Sequence, residues 1–288
     1  MIRRHLLPMT RLVLLLPLAG AARADTAAAG AQPAPDKSGY TLANPVPAAQ
    51  LRELTTDRPD VTESPFTVDA GHAQLEMDFA NYTRDRLDSV RTTEWGVAPF
   101  NLRLGVLNNF EAGVFAAPYI HHAEQPRGGP EQTTAGLGDV TLRGKWNFRG
   151  NDGGGTAVGL IADLKLPTAA GGLGNGRVEG DVALPVLLEA GGWEVAMMSE
   201  VDVEWRETRG DYRPAWLNTL SLGHGLFGPF DGYVELTSFT GDGPQVMTAD
   251  AGVMWLLDQN TQLDAGANVG VSRTAPDVQV FSGLSRRF

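Results

Sequence analysis

Four arrangements of side chains in this sequence have types and spacings that suit chemistry, and three of them lack a necessary part. Gly223-His224-Gly225-Leu226-Phe227-Gly228 has the G-x-G-x-x-G spacing of a dinucleotide loop. Such a loop must lead into a helix whose N-terminus faces pyrophosphate. Pro229 and strand-like residues follow instead, so these read as turn glycines. His121 and His122 offer two imidazoles to a metal. Neighbours on a strand point to opposite faces, the chain has no cysteine, and the nearest acid is Glu124. We expect a solvated loop there, with no metal and no cofactor. A lipid-modifying hydrolase needs Ser, His and an acid together near the outer leaflet. There is no G-x-S-x-G, and His72 and His224 fall at strand ends remote from His121 and His122. No catalytic residues are expected, and the chain is read as a non-enzyme.

The fourth arrangement is a set of charges recurring at period two. The acids are Glu76, Asp78, Glu111, Asp163, Asp181, Glu189, Glu194, Glu200, Asp202, Glu204 and Asp264; the bases are Arg103, Arg143, Lys145 and Lys165. On neighbouring strands, such charges pair across a wet interior. They either brace that interior or line a solute path, and one residue can do both. Just before them lies Thr56-Asp57-Arg58-Pro59-Asp60-Val61-Thr62-Glu63-Ser64-Pro65. Its prolines favour an extended chain. One reading folds residues 55–71 into the interior as a plug using Asp57, Arg58, Asp60 and Glu63, with Asp57 or Asp60 meeting Arg143 or Lys145. The other leaves the segment as a linker beneath.

The elements that must position these charges are strands. Leu75, Met77 and Phe79 alternate with Gln74, Glu76 and Asp78; Leu142, Trp146 and Phe148 flank Arg143, Lys145 and Asn147. The same period marks Trp193 to Glu204 and Gln262 to Val271. Short breaks (near residues 107–109, 149–154, 191–192, 226–229 and 258–260) alternate with longer ones (84–89, 121–135, 168–177, 207–212, 240–244 and 272–276). Counting between them predicts twelve strands over residues 72–288, with a bulge near Pro99. An even strand number with short turns on one side and long loops on the other describes an antiparallel transmembrane β-barrel. Trp146, Trp193, Trp205 and Trp255 near strand ends suit interface girdles. A soluble periplasmic sandwich or lipocalin-like barrel is the competing architecture. Two strands, about Arg213–Gly225 and Phe230–Thr240, alternate too poorly to assign their facing.

The ends set the compartment. Arg3 and Arg4, the apolar stretch Leu12 to Leu18 and Ala22-Arg23-Ala24 have the form of a cleaved secretory signal over residues 1–24. Residues 25–54, rich in Ala and Pro, read as a flexible linker with one helical turn near Ala48 to Leu54. The chain carries 23 basic against 34 acidic residues, net −11, which argues against a nucleic-acid partner.

Several blocks together resemble the phenol meta-pathway degradation family of outer-membrane proteins. These are the Thr56 to Pro65 segment, Asn101-Leu102-Arg103-Leu104-Gly105-Val106, Gly136-Leu137-Gly138-Asp139-Val140, Lys165-Leu166-Pro167-Thr168 and the terminal Gly283 to Phe288. The resemblance covers about residues 55–288. It implies an outer-membrane barrel that moves aromatic or other hydrophobic compounds, and it brings no catalytic residues. The expected function is facilitated diffusion of small hydrophobic solutes across the bacterial outer membrane; a structural or adhesive barrel is the alternative. Expected partners are outer-membrane lipids and lipopolysaccharide, the solute, and the assembly machinery, through the terminal aromatic Phe288.

Overall fold

The computed structural model describes residues 36–288. The signal segment 1–24 and the first part of the 25–54 stretch lie outside the described residues. Twelve antiparallel strands form one closed barrel. They are β1 (Ala73–Leu87), β2 (Val90–Val97 and Phe100–Leu107), β3 (Phe110–Ala116 and Tyr119–Pro126) and β4 (Gln132–Gly136 and Val140–Arg149). There follow β5 (Thr156–Leu166), β6 (Glu179–Ala190), β7 (Trp193–Arg206), β8 (Asp211–Phe227), β9 (Phe230–Thr240), β10 (Val246–Asp258), β11 (Thr261–Gly270) and β12 (Val278–Arg287). β12 pairs with β1, Arg287 opposite Gln74 and Val278 opposite Arg84, which closes the barrel; the stretch Gln132–Gly136 pairs on one side alone.

Three strands are interrupted once each. β2 breaks at Ala98-Pro99, where Ala98 has φ 55°, and β3 breaks at Ala117-Pro118. Proline has no N–H to give the ladder, so pairing fails locally and resumes beyond. β4 breaks at residues 137–139. Beyond the breaks, the outer halves of β1 to β4 continue as a paired flap, Trp95 opposite His121 and His122 opposite Thr134. Residues 121–135, expected as a loop, are therefore mostly strand. Polar residues on both faces of 121–135 hid the pairing, because the outward aromatic stripe of the flap ends at Tyr82, Trp95 and Tyr119.

Alternation sets the two faces. Outward residues include Phe79, Leu142, Phe148, Leu164, Val203 and Leu236, all large, apolar and exposed. Aromatic pairs ring the short-turn end, with Phe110–Trp146 centroids 4.4 Å apart and Phe230–Trp255 5.4 Å. Trp205–Tyr212 and Trp95–Tyr119 lie toward the long-loop end, at 5.1 Å and 5.3 Å. Such girdles belong at membrane interfaces. None of the described helices is long and apolar enough to span a membrane, which says nothing of strands.

β8 and β9 turn Ala215, Leu217, Thr219, Tyr233, Glu235 and Phe239 inward and Trp216, Leu220 and Leu236 outward. Their alternation was illegible because both faces are mixed: Leu217 and Phe239 point inward beside Thr219, Ser221, Glu235 and Thr237, and Asn218 lies outward between Trp216 and Leu220. The interior is apolar in part: Ile161, Ala183, Met198, Ala215, Leu217, Phe239, Val246 and Ala275 form a buried cluster with Val61.

Residues 36–54, expected as a flexible linker, are fixed at the short-turn end. Leu42 N–H donates to Val106 O (2.8 Å), Val46 N–H to Ala70 O (3.0 Å), and Val46 is buried. The expected helical turn is a single 3-10 turn, Ala48–Gln50. Composition concealed this order because the anchors are a few side chains rather than a periodic face. One anchor is Asp69, which takes Lys37 Nζ at 3.3 Å and the Arg52 N–H at 2.9 Å.

Candidate functional site

Residues 55–71 bond to β1, β2, β3, β4, β8, β9 and β11, and a segment can reach all of these only from inside the barrel. Asp57 is the hub. Lys145 Nζ donates to Asp57 Oδ1, and Arg103 and Arg143 stand 3.3 Å and 3.6 Å from Oδ2. Burial alone would raise the Asp57 carboxyl, but these three cations outweigh it and hold the group below the usual carboxylate range. Asp57 N–H donates to Glu76 Oε2 (3.0 Å).

Arg103 is fully buried. It forks onto Glu111 at 2.8 Å and 3.0 Å, reaches Glu76 at 2.6 Å, and donates to Phe66 O at 3.0 Å. Glu111 in turn accepts Val68 N–H at 2.7 Å. Arg58 holds the adjoining wall, forked onto Asp264 at 2.6 Å and 3.1 Å and bonded to Asp78. The next turn of the segment docks on Glu235, whose carboxylate accepts Val61 N–H (2.8 Å) and Thr62 N–H (2.7 Å). Buried ions are costly unless paired and hydrogen-bonded, and here Arg58, Glu76, Asp78, Arg103, Glu111, Lys145, Glu235 and Asp264 each meet a partner from the segment or from a neighbouring strand.

Two glycines make room. A Cβ on Gly105 would collide with the Asp69 carbonyl, and one on Gly283 with the Arg58 guanidinium. Gly105, Gly283 and the docking acid Glu235 were missed by sequence reasoning. Glu235 lies on a strand of unassigned facing, and an inward glycine carries no local mark of what fills its space.

Toward the long-loop end the interior is half-exposed and mostly acidic. Arg143 joins Asp163 (2.7 Å) and Glu63 (2.9 Å). Lys165 joins Asp139 and Glu179, both at 3.0 Å. Asp181, Glu200 and Asp202 each bring a carboxylate oxygen within 4.8 Å of the others. Arg213, on β8, bonds Glu204 at 2.5 Å. Every proposed wall residue from Glu76 to Asp202 is therefore inward. Those from Glu76 to Glu111, together with Lys145, are buried, and Arg143, Asp163, Lys165, Glu200 and Asp202 are half-buried toward the long-loop end. Asp60 is half-buried on the segment.

The histidines do not converge. His121 stacks outward on Trp95 (5.3 Å), while His122 faces inward to Glu94 (3.0 Å). His72 sits at the seam, its ring nitrogens 2.9 Å from Phe288 O and 2.8 Å from Val46 O. His224 packs on Trp193 at the short-turn end. Where β3 and β4 are interrupted, a recess of about 190 Å³ opens among Ala116, Ala117, Pro118, Leu137, Gly138, Val140 and Thr168.

A closed, even-stranded antiparallel barrel that is apolar outside, charged inside and filled by its own N-terminal segment defines a barrel of the outer-membrane type. The chain belongs to the family described as "Putative MetA-pathway of phenol degradation", whose model it matches over residues 56–288. No curated protein matches significantly. Among solved structures it is similar to the COG4313 outer membrane channel from Pseudomonas putida F1, with TM-score 0.58 and 12% identity over 81% of this chain and 100% of that one. It is more loosely similar to the Ralstonia pickettii toluene transporter TbuX (TM-score 0.44, 8% identity, 75% of this chain and 89% of that one). The outer membrane phospholipase A from Escherichia coli is more distant (0.37, 13%, 77% and 93%). At these identities the likeness is one of fold, and the last two scores carry no argument.

Proposed function

We propose that this protein is a bacterial outer-membrane conduit for small hydrophobic or aromatic solutes, working by facilitated diffusion and closed at rest by residues 55–71. The observation that carries this reading is the segment itself, bonded around the interior and sealing the short-turn end. A water-filled pore for ions would leave that end open. An apolar solute instead finds an apolar inner cluster around Val61 and an apolar recess where β3 and β4 part. The family membership and the structural likeness to an outer membrane channel support the same reading. A barrel with only a structural role would share the paired interior but has no use for the recess. Phe288, exposed at the seam with its N–H on Ala73 O (2.8 Å), is the proposed mark for the assembly machinery.

The test is single-channel conductance of the refolded protein, with toluene uptake into proteoliposomes measured in parallel. The intact chain is expected to conduct ions poorly and to pass toluene. Deleting residues 54–65 is expected to raise ion conductance. Unchanged conductance in a folded deletion variant would sink the plug; no toluene flux in the intact chain would favour the structural barrel.

A further inference from the structure

The outer flap of β1 and β2 carries charge that solute passage does not use. On its outward face the register sets Tyr82 opposite Trp95, and Arg86 opposite Arg91. Arg84 lies between Tyr82 and Arg86 on the same face, and both arginines are exposed. Arg127 joins them because its N–H donates to Ser89 O (2.8 Å) beside the β1–β2 turn. Like charges directly opposite on a sheet destabilise it. Here Arg91 has only Gln125 at 2.7 Å and the half-exposed Glu131 at 3.5 Å. Among the described residues, Arg84 and Arg86 form no ion pair. Four clustered arginines in a chain of net charge −11 therefore stand where an external anion would relieve their repulsion.

Their height identifies the anion. Trp95, stacked on His121 and 5.3 Å from Tyr119, marks the aromatic level at the long-loop end. Aromatic girdles sit at the headgroup boundary, and long loops face outward. The arginines lie one and two outward-facing positions beyond Tyr82, a rise of about 7 Å per position along the strand. That is the layer of outer-leaflet headgroups, and guanidinium matches phosphate in a two-pronged fork.

We propose that Arg84, Arg86, Arg91 and Arg127 bind the phosphates of one lipopolysaccharide molecule, whose acyl chains lie on Tyr82, Trp95 and Tyr119. This rests on the outer-membrane placement, not on solute passage. The experiment titrates the refolded full barrel in detergent with bisphosphorylated lipid A and with dephosphorylated lipid A, reading binding by native mass spectrometry. Heat-modifiable gel mobility confirms the fold of every variant. The intact chain is expected to prefer the phosphorylated lipid. R84Q/R86Q/R91Q is expected to weaken that binding about a hundredfold, roughly fivefold per arginine. R209Q, in the turn between β7 and β8, is expected to bind as the intact chain does. If the triple variant does not fold, R86Q alone should show about a fivefold loss. Equal affinity for both lipids, intact binding by a folded arginine variant, or an equal loss in R209Q would overturn the site. So would inorganic phosphate binding as tightly as lipid A.

Discussion

The two halves of the barrel's inner wall hold the same segment in opposite ways. From β11 round to β4, Asp264 and Asp78 grip Arg58, and Arg103, Arg143 and Lys145 grip Asp57, by directed, paired charges, with Glu76 and Glu111 bracing Arg103. From β5 to β10, Ile161, Met198, Leu217, Phe239 and Val246 meet Val61 by apolar area, with polar contacts to the segment from Glu235 and Thr219. Directed ion pairs fix a register, and breaking one strands a buried charge. Apolar burial is non-directional and scales with area, so another apolar surface can take the place of Val61 with little loss. If residues 55–71 are the proposed plug, the charged half is its hinge and the apolar half is the side where a hydrophobic solute competes.

Breaking the charged side should cost most. Asp57→Ala leaves Lys145 without its close partner and removes the nearby countercharge of Arg103 and Arg143. A destabilisation of about 3–5 kcal/mol is expected, the usual cost of stranding a buried charge, read as a lower urea midpoint for the refolded barrel. Breaking the apolar side should cost less. Val61→Ala removes two buried methyl groups and should lose about 1–2 kcal/mol. It should also speed toluene flux, which Asp57→Ala would do only together with a rise in ion conductance. If Val61→Ala proves the more destabilising of the two, the division of the wall into hinge and competing side is wrong.

Much of the barrel was legible because lipid imposes a strict period of two. Leu142 and Arg143 could be placed on opposite faces from that rule alone, and each stands where the rule puts it, Leu142 exposed and Arg143 inward on Asp163. The rule fails where neither lipid nor water sets the contrast. On β8 and β9 both faces mix apolar and polar residues, Leu217 and Phe239 beside Thr219 and Glu235 inside, Asn218 beside Trp216 and Leu220 outside. On the flap at residues 121–135 both faces are mostly polar. For the interior, charge at period two named the wall residues but not their partners. Asp57 and Asp60 are chemically equivalent in the sequence, and only the three-dimensional path puts Asp57 on Lys145. Nothing local in Gly105 or Gly283 announces that another part of the chain fills the space a Cβ would need.

The smallest expected effect sharpens the contrast. The three cations hold the Asp57 carboxyl below its ordinary range. A group depressed in the folded state contributes stability above its unfolded value and loses it only as pH falls through its folded value. Lowering pH from about 7 to about 5 stays above the ordinary aspartate range, so Asp57 remains charged and the hinge should hold. Proteolysis of the N-terminal segment in refolded protein should therefore be as slow at the lower pH as at neutrality. Faster cleavage on mild acidification would mean that another carboxylate holding the segment, such as Glu76 or Glu235, and not Asp57, carries the hinge.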